Sequence, residues 1–265
     1  MSIGGMSCFP AKFTAPAPEW TTDSCERKGT GGRTVDAELT QPELAKTHYL
    51  RQFLRRAGYA IRGNKRFRTS GEYWEQRYRS GGNSGAGSYS RLATFKAEVL
   101  NDFVARNNVT TVIEIGSGDG AQLTLAEYPS YTGIDVSQVA VDSTRRLFAD
   151  DGSKRFIHTS EVTATDRAEL ALSLDVIYHL VEDAVFDSYL RQLFDAATKY
   201  VIVYSSNTDK FWSSPHVRHR EFTRWVQENR ADFALAETIP NRYPYDKADP
   251  DNTSFADFYI FERVA

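Results

Sequence analysis

From Thr69 onward the apolar positions switch repeatedly between two periods. Helical spacing is expected over 73–79, 92–103, 138–148, 184–197 and 221–230. Between these lie short β-branched or apolar runs at 110–115, 131–136, 155–159, 169–175 and 200–205, which read as buried strands. Strand and helix in alternation predict a parallel sheet with right-handed crossovers. The C-terminal part breaks the rhythm. Two more strands are expected at 233–239 and 255–264, separated only by the Pro-, Asp- and Asn-rich 240–253. Consecutive strands without a crossover helix should pair antiparallel. The fold class expected is α/β: a doubly wound, Rossmann-like sheet of seven strands, mostly parallel, with an antiparallel strand at the C-terminal end.

The chain before this pattern has a different texture. Residues 1–40 are rich in Gly, Pro, Thr and Ser without apolar periodicity and read as a mobile tail. A helix is expected over 41–59, with Pro42 in its first turn and Leu44, Leu50, Phe53 and Leu54 near helical spacing. Arg51, Arg55, Arg56, Arg62, Lys65, Arg66 and Arg68 make 41–70 a basic appendage. A solvated helix face is the favoured reading; contact with an anionic surface is the alternative. Residues 71–265 form the main domain.

Composition narrows the class. With 265 residues, 41% hydrophobic and 25% charged, the chain can bury a sizeable core. A net charge of -3 argues against a nucleic-acid footprint. No apolar run is long enough to span a bilayer. The start of the chain lacks the charged and apolar regions of a signal peptide, so a cytoplasmic location is expected. Cys8 and Cys25 read as free thiols.

The first strand runs into Glu114-Ile-Gly116-Ser117-Gly118-Asp-Gly120, and the second ends in Asp135-Val136-Ser137. Glycines let the chain turn sharply and let a ligand approach the backbone. Asp135 is placed to accept both hydroxyls of an adenosine ribose, and Glu114 to pair with a ligand ammonium group. Gly116-x-Gly118-x-x-Ala121 also fits a dinucleotide fingerprint, so an NAD(P)-dependent oxidoreductase is a competing reading. No Gly-Lys-Ser/Thr follows, which excludes a phosphate-loop NTPase. Three features disfavour the oxidoreductase: the acid ahead of the glycines, the long preface before them, and the closing hairpin.

These features resemble the class I S-adenosylmethionine-dependent methyltransferases. The resemblance covers about residue 70 to the end. It implies a seven-stranded sheet with an antiparallel last strand, and S-adenosyl-L-methionine as cofactor. Glu114, Gly116, Ser117, Gly118 and Gly120 would hold it with Asp135, Val136 and Ser137. A module that binds S-adenosylmethionine without turnover is a further alternative.

After the fourth strand stands Asp175-Val-Ile-Tyr178-His179. Asp175 occupies a place where small-molecule methyltransferases commonly carry a glutamate. Metal-dependent catechol-type relatives use an Asp here and Asp-Asn after the fifth strand; this chain offers Asp175 and Asn207 with Ser206 between the strand and Asn207. A Mg²⁺ site would be incomplete, since the cation wants several oxygen ligands. Methyl transfer to a hydroxyl calls for a base, and histidine suits working pH. His219, in the segment 212–222 after the fifth strand, is the first candidate and His179 the second. Each has the alternative reading of a helix-start or core histidine. His158 reads as strand packing, and His48 lies outside the domain.

The segment 73–96, with Tyr73, Trp74 and a glycine-rich 80–88, is the most distinctive local pattern. Together with 173–179 and His216-Val-Arg-His219-Arg220 it resembles small sugar O-methyltransferases of glycan and polysaccharide biosynthesis, methylmannose polysaccharide 1-O-methyltransferases among them. This implies a small-molecule or oligosaccharide acceptor, with a glycine-rich flap closing over the reactants. A homodimer stays open beside a monomer.

Overall fold

A computed structural model describes residues 67–264. The tail over 1–40, the helix over 41–59, both cysteines and His48 lie outside the described residues.

Helix α1 (Ser70–Arg79) begins three residues ahead of the expected start. Its signal there is a cap, not an apolar period: the Thr69 hydroxyl accepts the Glu72 N–H at 3.1 Å. Glu72 in the first turn and Arg77 and Arg79 in the last suit the helix dipole. Helix α2 (Ser90–Arg106) turns Leu92, Phe95, Lys96, Leu100, Phe103 and Val104 inward. Then follow β1 (Val112–Ile115), β2 (Tyr131–Asp135), α3 (Gln138–Leu147), β3 (Lys154–His158), β4 (Ala168–Leu174), α4 (Asp183–Ala196), β5 (Ala197–Ser205), α5 (Phe222–Asn229), β6 (Phe233–Ile239) and β7 (Asp257–Arg263).

The seven strands form one sheet in the order β3-β2-β1-β4-β5-β7-β6. Strands β1 to β5 pair in parallel, while β7 runs antiparallel to both β5 and β6. The expected C-terminal hairpin is therefore present. Alternation along the strands splits the core into two layers. Val112, Tyr131, Leu170, Leu172, Ile202 and Tyr204 pack with Phe95, Leu100 and Phe103 of α2. Ile113, Ile134, Ala171 and Val203 pack with Leu190, Leu193 and Phe194 of α4 and with Phe222 and Val226 of α5. All four residues of β1 are buried, as a central parallel strand covered on both faces requires.

Parallel pairing places the carboxyl ends of β1, β2, β4 and β5 on one edge. Ile115 pairs with Ile134, Glu114 with Leu172, and Leu174 with Tyr204. Chain segments leaving those ends bring residues 114–120, 135–137, 175–179 and 206–221 to the same rim. Among the described residues no helix is long and apolar enough to cross a membrane.

Candidate active site

The glycine loop leaves β1 in a tight turn. The N–H groups of Gly116 and Ser117 both donate to the carbonyl of Ile134 on β2, at 2.7 and 3.0 Å. Gly116, Gly118 and Gly120 all have positive φ. At Gly118 (φ +61°) a side chain is barred twice, because a Cβ would also stand 2.3 Å from Ser84 Oγ.

Two buried carboxylates flank this loop. Asp135 accepts the Gly118 N–H on Oδ2 and the Ser137 N–H on Oδ1, both at 2.8 Å. Burial pushes its carboxyl above the usual carboxylate range, against those hydrogen bonds. The Val136 N–H is a third backbone donor to this carboxylate. Glu114 accepts the Tyr131 hydroxyl at 2.6 Å. Burial drives its carboxyl up to about 7, with the Tyr131 bond and the positive charge of Lys96 opposing the shift. Of the other loop residues, Ser137 is fully buried: its hydroxyl donates to Glu75 at 2.6 Å and accepts the Ala140 N–H at the start of α3. Ser117 lies against Gly133, and Val136 stands exposed on the rim.

The segment between α1 and α2 lies across the loop. Ser84 and Asp119 bond reciprocally: the Ser84 N–H donates to Asp119 Oδ2 at 2.8 Å, and the Asp119 N–H to Ser84 Oγ at 3.0 Å. The Tyr89 hydroxyl adds a bond to Asp119 at 2.8 Å, and Ser84 Oγ meets the Tyr78 hydroxyl at 3.0 Å. Burial works to raise the Asp119 carboxyl, but the bonds from Ser84, Tyr89 and Ala121 hold it below its ordinary value. Further along, a Cβ at Gly87 would stand 2.6 Å from Asp175 Oδ2, so flap backbone rests directly on that carboxylate.

Asp175 is the first residue past β4 and adopts φ +61°, rare for a residue with a side chain. Its carboxylate takes the Lys96 ammonium on Oδ2 at 2.7 Å and the Tyr178 hydroxyl on Oδ1 at 2.8 Å. The Tyr178 ring lies against both candidate histidines. His179 Nδ1 faces the His216 carbonyl at 3.0 Å, so its neutral form carries the proton on Nδ1. Trp74 meets it edge-on, His216 stacks on it, and burial lowers its pKa to about 4. His219 is also buried, with Nδ1 at 2.6 Å from Ser206 Oγ and the edges of Trp212 and Phe255 against its ring. Burial lowers its pKa as well. His158, at the end of β3, bonds to Ser160 and to the Val136 carbonyl. A cleft of about 870 Å³ opens beside His219, walled by the 209–221 segment, the start of α4 and the face of α5.

No family model matches the sequence, and no curated protein does. Solved structures do match. The N-methyltransferase NodS of Bradyrhizobium japonicum WM9, in complex with S-adenosylhomocysteine, aligns at a TM-score of 0.56 and 14% identity, over 75% of this chain and all of that one. Magnesium protoporphyrin IX methyltransferase of Synechocystis PCC 6803, with bound S-adenosylhomocysteine, aligns at 0.51 and 15% identity, over 73% of this chain and 97% of that one. The methyltransferase domain of bacterial CtHen1 aligns at 0.50 and 18% identity, over 64% and 97%. The fold is the class I methyltransferase fold. Its closure by the antiparallel β7 also separates it from the 3-2-1-4-5-6 order of the dinucleotide-binding sheet.

Within this methyltransferase fold the glycine loop, Glu114, Asp135, Asp175, His179 and His219 share one rim. The Mg²⁺ expectation fares differently. Asp175 is already neutralised by Lys96, and the Asn207 amide is engaged with Thr223, donating at 2.8 Å and accepting the Thr223 N–H at 3.2 Å. No cluster of three or more metal-ligating side chains occurs among the described residues. Sequence reading also missed the partners that organise the rim. Lys96 had a signal: it stands in the apolar stripe Leu92-Lys96-Leu100, where a charge needs a buried counter-ion. Ser84 and Asp119 had none, because their pairing spans 35 residues with no local pattern.

Proposed function

We propose that the chain is an S-adenosylmethionine-dependent O-methyltransferase whose acceptor is a hydroxyl of a saccharide or similar small molecule. The observation that carries the reading is the pair of buried acids around the glycine loop. Asp135, held by three backbone N–H groups, keeps acceptor capacity for a ribose hydroxyl. Glu114, held near 7 by burial, lacks a full counter-charge, and an amino-acid ammonium group supplies one. A nicotinamide dinucleotide brings no such cation. The donor set thus suits this cofactor.

Bound there, S-adenosylmethionine supplies an electrophilic methyl group on a cationic sulfur. The protein's own part is to position the acceptor and take its proton. His219 is the proposed base. Burial lowers its pKa, which favours the neutral ring, and in the tautomer that donates Nδ1–H to Ser206 Oγ the Nε2 atom would be the basic one. With the donor bound, His219 Nε2 would take the proton that the acceptor hydroxyl loses. Asp175, fixed by Lys96 and Tyr178, is placed to orient the acceptor hydroxyl, while the flap excludes water. His179, with Nδ1 bound to a main-chain carbonyl and its ring enclosed by aromatics, suits a supporting role.

The test is transfer of labelled methyl from S-adenosylmethionine to a panel of sugars, by wild type and by His219→Ala and His179→Ala. His219→Ala should lose about 10²–10⁴-fold in turnover with donor affinity retained. The wild-type rate should fall as pH drops through the lowered His219 pKa. A larger loss in His179→Ala than in His219→Ala would reverse the two roles. Transfer to none of the sugars would overturn the acceptor class.

A further inference from the structure

Of the three acids at the rim, two have their charge met by the protein and one does not. Asp135 is held by the backbone N–H groups of Gly118, Val136 and Ser137. Asp175 has the Lys96 ammonium at 2.7 Å and the Tyr178 hydroxyl. Glu114 has the Tyr131 hydroxyl. Lys96 is 1% exposed, and among the described residues no other lysine is buried. The buried arginines serve other acids, Arg220 pairing with Asp183 and Arg230 with Asp195 and Asp232.

The fold brings this one ammonium to two acids. Alternation along β1 turns Glu114 to the same face as Val112, which packs under α2, and Lys96 comes down from α2 on that face. Across the sheet Glu114 pairs with Leu172 of β4, three positions before Asp175. Burial raises the Glu114 carboxyl to about 7, opposed by the Tyr131 bond and then by Lys96, which is the strongest charge acting on it; Asp135 and Asp175 push the other way. The tyrosines around these acids, Tyr128, Tyr131 and Tyr189 near Glu114 and Tyr178 and Tyr204 near Asp175, are all pushed up by burial and stay uncharged. The charge balance therefore lies with the three acids and Lys96.

We propose that Lys96 is a positioning residue that couples the donor side of the site to the acceptor side, one ammonium shared between Glu114 and Asp175. The inference rests on the reading of Glu114 as the acid that meets the donor's ammonium group. Once Glu114 has that second cation, Lys96 serves Asp175 alone and fixes its carboxylate for the acceptor hydroxyl. Before that, its charge is divided between two acids. Donor binding thus readies the acceptor side, and by linkage the state of Asp175 is felt in donor affinity. A lysine that held the ion pair for stability alone would leave donor affinity indifferent to Asp175.

S-adenosylhomocysteine carries the same ammonium group and is the probe. Calorimetric titration at pH 7 in phosphate and in Tris, which differ in heat of ionisation, reads both its affinity and the protons released. Wild type should release about half a proton per ligand, as Glu114 gives its proton to the buffer, and Glu114→Gln none. Asp175→Asn leaves the Lys96 charge unmatched near the incoming ammonium. It should bind about 5–20-fold more weakly and release less proton. Adding Lys96→Met to Asp175→Asn removes both charges and should recover most of that affinity. Removing both partners of a buried pair also spares the fold. Lys96 acts on Glu114 more strongly than Asp175 does, so the double variant should release more proton than wild type. That release decides the matter should Asp175→Asn alone not fold. Undiminished affinity in Asp175→Asn, no recovery in the double variant, or proton release there equal to wild type would each overturn the proposal while leaving the donor reading intact. Absence of binding by wild type would overturn the donor reading, and this inference with it.

Discussion

At the residue scale, Glu114 is an acid built into an apolar strand with one hydroxyl as hydrogen-bond partner. Its carboxyl rises from 4.5 to about 7 on folding. The native state therefore holds its proton more tightly than the unfolded chain does. The resulting stabilisation is complete below about pH 4.5 and is lost as pH rises through about 7, roughly 3 kcal/mol in total. Glu114→Gln keeps an acceptor for Tyr131 but has no proton to lose. Compared with wild type in thermal melts, it should gain several degrees at pH 8 relative to its standing at pH 5, while its affinity for S-adenosylhomocysteine falls. Parallel pH profiles for the two proteins would contradict the assignment. That the glycine loop and the acids at 114 and 135 lie together at one rim was legible in the sequence, because the glycine spacing and the strand-end acids are local patterns. Lys96 and Ser206 were not assigned roles: their meaning depends on Asp175, 79 residues from Lys96, and on His219, 13 residues from Ser206.

At the element scale, the flap behaves as a strap between α1 and α2, fastened by Ser84 to Asp119 and pressed by Gly87 on Asp175. A methyl group at residue 87 would collide with the carboxylate that Lys96 holds. Gly87→Ala should therefore lift the flap, costing about 1–3 kcal/mol by overpacking and speeding amide exchange over residues 84–89. Unchanged exchange there would show that the flap does not rest on Asp175. Element types were well predicted by periodicity, and errors lay at the ends. Strand β5 starts at Ala197, ahead of the expected 200, because Thr198 and Lys199 are exposed and leave no apolar signal. Helix α1 starts early because its first turn is specified by the Thr69 cap.

At the scale of the whole molecule, the parallel strands gather four chain segments at one rim, and β7 closes the sheet antiparallel. That plan was readable from the alternation of periods and the missing last crossover. The flap's seat on the loop and the cleft beside His219 were not, since both arise from packing between distant segments. Everything proposed for this rim depends on the glycine loop, Asp135 and Glu114 holding S-adenosylmethionine. Isothermal titration of S-adenosylhomocysteine into wild type and Asp135→Ala tests it most directly. Wild type should bind saturably, one to one, and a folded Asp135→Ala should bind about 30–150-fold more weakly, the loss of about 2–3 kcal/mol of charge-assisted hydrogen bonding to the ribose. Heat of binding absent from wild type, or undiminished affinity in Asp135→Ala, would contradict it.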